Sequence, residues 1–142
     1  MATVAERRFA DAEVLAATES NAHANGAAYL AGFVVEILLK ARLIAKFPTT
    51  ARKHQATLAN HEREIWLLIW RQHDLEAMLT KLGELEAALT KRGQRDGYDY
   101  LADLKKICAT WTIQARYSSR TMLMREAREI LERVRQIKEL LK

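Results

Sequence analysis

Proline is almost absent from this chain: Pro48 is the sole example in 142 residues, and glycine, at five, is nearly as scarce. With so few residues that break helices, long helices can run uninterrupted, and an all-α fold is expected. Cys108 is also alone. That excludes an intrachain disulfide framework and a cysteine-based zinc site, and it fits a reducing, cytoplasmic compartment. No apolar run approaches the roughly 18 residues of a membrane-spanning helix. The opening MATVAERRFADAEV mixes both charge signs and has no apolar stretch of the signal-peptide kind. Neither secretion nor a membrane partner is expected. There is no His-x-x-x-His or Glu-x-x-His pair and no glycine-rich phosphate loop, so no metal or cofactor is implied.

What is present is the mixture of a soluble globular protein, 49% hydrophobic and 29% charged, in a length that suits one domain with its own core. Lys and Arg number 23 against 18 Asp and Glu, a net charge of +5. This excess is compatible with a polyanionic partner and modest for a dedicated nucleic-acid binder. The Arg7-Arg8, Arg52-Lys53 and Arg125-Arg128 groups read as solvated faces.

The stretch from Asn25 to Lys46, NGAAYLAGFVVEILLKARLIAK, is apolar nearly all the way round. Such a helix needs neighbours on several sides. One stripe of it carries Tyr29, Phe33, Glu36 and Lys40, so two rings and an opposite-charge pair share a line along the helix. A carboxylate in this setting costs several kcal/mol to bury unless it is partnered. Glu36 therefore predicts a cationic or hydrogen-bonding neighbour: Lys40 one turn on, or an Arg or Tyr from another helix. Such a pair is either architectural or chemical, and the residues alone leave both open.

Around this helix the periodicity predicts four to five long antiparallel helices in a bundle. The first runs from Thr3, with Glu6 in capping-box spacing, to about Thr18, its Ala5, Phe9, Ala12, Leu15 and Ala16 facing inward. The second ends near Lys46 because Pro48 disfavours helical geometry at Phe47. Thr49 to about Ala59 reads as an exposed basic connector. His61 to about Lys91 reads as one long helix or two, with a break near His73-Asp74 preferred over one near Gly83. Within it Trp66 and Trp70 sit one turn apart, which calls for a wide core or a partner chain. Arg92 to Gly97, RGQRDG, reads as a linker. Helices from Tyr98 to about Tyr117 and from about Thr121 to Lys142 follow.

Three segments together resemble the HEPN superfamily of small helical domains: GAAYLAGFVVEILLKARL from Gly26, HDLEAML from His73, and WTIQARYSS from Trp111. They fall between Gly26 and Ser119 in the order such a family member shows. The resemblance implies a helical bundle that forms a homodimer. It also implies a range of functions: metal-independent ribonucleases, partners of minimal nucleotidyltransferases in toxin-antitoxin pairs, and nucleotide binders that do not cut RNA. The ribonucleases use an Arg followed about five to seven positions later by a His that serves as acid or base. That motif is absent here, because none of His23, His54, His61 and His73 has an Arg at that distance before it, and no His follows Arg116.

The residues that remain as candidates are Tyr29, Glu36, Lys40, His73, Asp74, Trp111, Arg116 and Tyr117. Two arrangements are open. In one, Arg116 pairs with Glu36 and Tyr117 bonds across the bundle, which satisfies the buried carboxylate with no ligand. In the other, Lys40, Arg116 and His73 contact a phosphate while Tyr29 or Trp111 stacks on a base. Asp74 after His73 reads as a proton-sharing neighbour or as a helix cap. The expectation for function is a HEPN-like binding protein of a toxin-antitoxin or defence system, engaging nucleotide, RNA or a nucleotidyltransferase. A divergent ribonuclease using His73 and Arg116 and a structural dimerisation module are the rivals.

Overall fold

The computed structural model of the chain describes residues 1–111 and 121–142. Arg116 and Tyr117, with the arrangements expected of them, lie outside the described residues. Those residues hold eight α-helices and no strand. They are α1 (Ala2–Ala17), α2 (Ala24–Lys46), α3 (Pro48–Arg52), α4 (Asn60–Trp70), α5 (Leu75–Thr80), α6 (Gly83–Asp96), α7 (Tyr100–Thr110) and α8 (Met124–Leu141).

The apolar second helix is the hub: α2 contacts α1, α3, α4, α5 and α8. Its small residues make the close approaches possible. Ala27, Ala28 and Ala31 are buried, as are Ala5, Ala12 and Ala16 on α1. Farther along, Val34, Val35, Leu38, Leu39 and Leu43 fill the core. α8 presents a buried stripe of Met124, Ala127, Leu131, Val134, Ile137 and Leu141, whereas Leu123 is exposed.

Residues at both ends of α2 hold α8. Asn21 Oδ1 accepts from the Met124 N–H at 2.7 Å, and Asn25 Oδ1 accepts from the Met122 N–H at 2.8 Å. At the other end Arg42 donates to the carbonyls of Leu141 at 2.7 Å and Leu140 at 3.1 Å. A guanidinium there satisfies carbonyls that the helix cannot and complements the negative end of its dipole.

Several boundaries differ from expectation for identifiable reasons. α1 starts at Ala2 with no side-chain cap, so Thr3 lies inside the helix and the Thr3-Glu6 capping box does not form. Glu6 turns to α8, where Lys138 and Lys142 bind it and hold its carboxyl below the usual range. The segment from His61 is broken twice, after Trp70 and before Gly83. The connector after Pro48 is less free than its composition suggests, because it contains α3 and both tryptophans fasten it. Trp66 Nε1 donates to the Lys53 carbonyl at 3.0 Å and Trp70 Nε1 to the Ala51 carbonyl at 3.1 Å. Trp66 is buried and the Trp70 ring is exposed. Arg92 to Asp96 is the last stretch of α6 and not a linker. Arg92 pairs with Asp96 one turn on at 2.7 Å, and Gly97, at φ 68°, ends the helix in the left-handed conformation.

Cys108 is buried on α7, and burial, with the nearby carboxylates of Glu76 and Asp74, pushes its thiol up to about 12. The folded thiol therefore keeps its proton while an unfolded one, at about 9, loses it. This group's contribution to stability is whole below pH 9 and is lost as pH rises toward 12. At pH 8 iodoacetamide should modify the native protein roughly a thousandfold more slowly than the unfolded chain, since the thiolate is the nucleophile. Equal rates in the two states, read by mass spectrometry, would show the thiol to be accessible and ionised.

Candidate functional site

Glu36 lies in the middle of α2 with its side chain 1% exposed. It is the buried carboxylate that the sequence calls for, and it is answered from two directions. Lys40, one turn on and 14% exposed, places Nζ 2.7 Å from Oε1. His73 places Nδ1 2.7 Å from that same oxygen. The other oxygen, Oε2, is buried and has no hydrogen-bond partner among the described residues.

His73 reaches Glu36 from the turn between α4 and α5. α4 unwinds there, with the N–H groups of both Arg71 and Gln72 bonded to the Leu67 carbonyl at 2.8 Å. α5 restarts at once because the Asp74 side chain accepts from the Ala77 N–H at 2.9 Å. Asp74 is thus the helix cap and stands apart from the cluster, while it fixes the turn that carries His73. A carboxylate only accepts, so the Nδ1 that meets it carries the proton. In the neutral ring Nε2 then holds the lone pair, and the side chain is 38% exposed. With a neutral imidazole the charges of Glu36 and Lys40 cancel; with an imidazolium the cluster carries one net positive charge.

The rings of the stripe form a second group toward the start of α2. Tyr29 and Phe33 lie stacked, with centroids 6.2 Å apart and planes 10° from parallel. Trp111, at the end of α7, tilts against Tyr29 at 5.9 Å and donates Nε1–H to the Tyr29 carbonyl at 3.1 Å. Its indole lies over Gly32, where an added Cβ would come within 1.9 Å of the ring. Trp111 is buried, and Tyr29 is the exposed ring of the three. The small residue at 32 is therefore a seat for the tryptophan.

The structure thus joins Glu36, Lys40 and His73 directly, gathers Tyr29, Phe33 and Trp111 on the same helix, and keeps Asp74 in its cap. Phe33 belongs to the ring group although it was absent from the candidate residues; its spacing from Tyr29 was the available signal. No group of three or more His, Cys, Asp or Glu side chains among the described residues is placed to hold a metal ion. No helix among them is long and apolar enough to cross a membrane. No protein-family model, curated protein or solved structure matches the chain.

Proposed function

We propose that the chain is a HEPN-like helical bundle, dimeric in solution, that works by binding a nucleotide or RNA, or a minimal nucleotidyltransferase partner, in a toxin-antitoxin or defence setting. The observation that supports a phosphate-bearing ligand is the stripe itself. Exposed Tyr29 and its neighbour Phe33 precede Glu36 and Lys40 along one helix, and the imidazole of His73 meets Glu36 from the α4–α5 turn. Seven residues from Tyr29 to Glu36, where His73 sits, span about 10 Å of helix, comparable with the reach from a base to its phosphates. A base stacked on Tyr29 would place its phosphates toward His73. The net charge of +5 favours such a ligand at long range.

Calorimetric titration with ATP and with a short single-stranded RNA tests this. Tyr29→Ala should weaken binding roughly tenfold, the loss of one stacking contact, and His73→Ala should weaken it by a similar factor. Failure of both ligands to bind at millimolar concentration, or variants that bind as the wild type does, would refute the phosphate-ligand reading. The carboxylate-bound tautomer of His73 favours one rival, a divergent ribonuclease in which Nε2 accepts a proton. RNA that stays intact with the purified wild-type protein would exclude it.

A further inference from the structure

We infer that His73 Nε2 is a covalent phosphoryl-acceptor site, with Glu36 as the positioning residue that makes it nucleophilic. This goes beyond ligand binding and does not depend on it. The geometry meets three requirements of such a site. The proton of the neutral ring is held on Nδ1 by the Glu36 carboxylate at 2.7 Å, which leaves the lone pair on Nε2. The acceptor Glu36 is buried on the central helix, so the ring is held through Nδ1, while the side chain as a whole is 38% exposed. The same carboxylate faces the positive charge that develops on the ring when Nε2 bonds to phosphorus. Lys40 pairs with the same Oε1 at 2.7 Å, so the carboxylate has a cationic partner in its apolar surroundings. The adjacent Asp74 is engaged in capping α5.

The step balances with a phosphoryl donor that has a good leaving group, a phosphoramidate or an acyl phosphate. The Nε2 lone pair forms the N–P bond. The bond from phosphorus to the leaving group breaks, and its electron pair departs with ammonia or with the carboxylate. The ring becomes an N-phosphoimidazolium whose Nδ1–H remains on Glu36.

The other histidines provide an internal comparison. His54 accepts from the Ala56 N–H through Nδ1 at 3.3 Å, so its neutral ring carries the proton on Nε2. His61 has a side chain 84% exposed, and His23 is exposed as well. If access alone governed reaction, His61 would be modified before His73.

The test treats the full chain with phosphoramidate at neutral pH and maps the acid-labile, alkali-stable phosphate on each histidine by mass spectrometry. His73 should be phosphorylated about tenfold faster than His61, a preference of the size expected for an oriented nucleophile. Glu36→Gln, with its fold checked by circular dichroism, keeps an acceptor for Nδ1–H but loses the charge that faces the phosphoimidazolium, so it should slow His73 roughly threefold, and His73→Gln should abolish that site. His61 reacting as fast as His73, or an unchanged His73 rate in Glu36→Gln, would overturn the inference. The ranking within the wild type decides even if Glu36→Gln does not fold. Neither nucleotide nor RNA takes part, so this result and the binding titration stand or fall separately.

Discussion

Lys40→Met should lower folding stability by about 2–4 kcal/mol in urea denaturation, although the replacement is apolar and similar in length. Glu36 is the reason. Without the Lys40 ammonium, a carboxylate that is 1% exposed retains His73 as its one partner in the cluster, and its Oε2 still lacks a hydrogen bond among the described residues. Removing one member of a buried pair leaves a desolvated charge and costs about 3–5 kcal/mol; the 14% exposure of Lys40 lets solvent screen part of that. Combining Lys40→Met with Glu36→Leu should recover most of the loss, because the desolvation penalty then disappears together with the attraction. A double variant less stable than Lys40→Met alone would mean that Glu36 contributes through contacts other than this pair.

Gly32→Ala is expected to destabilise by about 2–4 kcal/mol, the combined effect of an overpacked core and a lost indole hydrogen bond. The sign is informative. In an ordinary helix interior, replacing Gly by Ala stabilises by about 1 kcal/mol, and Gly32 is well inside α2. Here the new methyl would sit 1.9 Å from the Trp111 ring, an impossible contact, so the indole must leave its seat and give up the Tyr29 carbonyl. Thermal unfolding and the near-ultraviolet dichroism of the displaced tryptophan report both consequences. A rise in stability would show that Trp111 is not packed on this helix.

Glu36 and Lys40 were legible in the sequence because a charge within an apolar helix demands a partner and the helical repeat supplies one at the fourth residue. His73 lies 37 residues away in sequence, a distance no local periodicity spans. The sequence offered His73 as a phosphate contact and an Arg or Tyr as the tertiary partner of Glu36; the turn capped by Asp74 is what brings His73 there instead. The break before Gly83 is the less favoured of the two that the sequence allows, and leucine spacing (Leu79, Leu82, Leu89) runs on across it, yet both breaks occur. Arg92 to Asp96 was misread for the opposite reason: its composition is that of a turn, yet the Arg92-Asp96 pair at helical spacing stabilises the last turn of α6. Thr3 and Glu6 have the spacing of a cap, but Glu6 meets the lysines of α8 instead, a contact more than 130 residues apart in sequence. At Glu36 and Glu6 the partners that local rules miss come from distant elements.

The claim on which the account rests is that His73 donates its Nδ1–H in a hydrogen bond to the buried carboxylate of Glu36. Nitrogen-15 correlation spectra of the imidazole rings at pH 8 test it most directly. The account predicts that His73 is the Nδ1–H tautomer in the wild type and loses that preference in Glu36→Leu, which leaves Nδ1 no side-chain acceptor. A His73 ring protonated on Nε2, or one unchanged by the substitution, would contradict it.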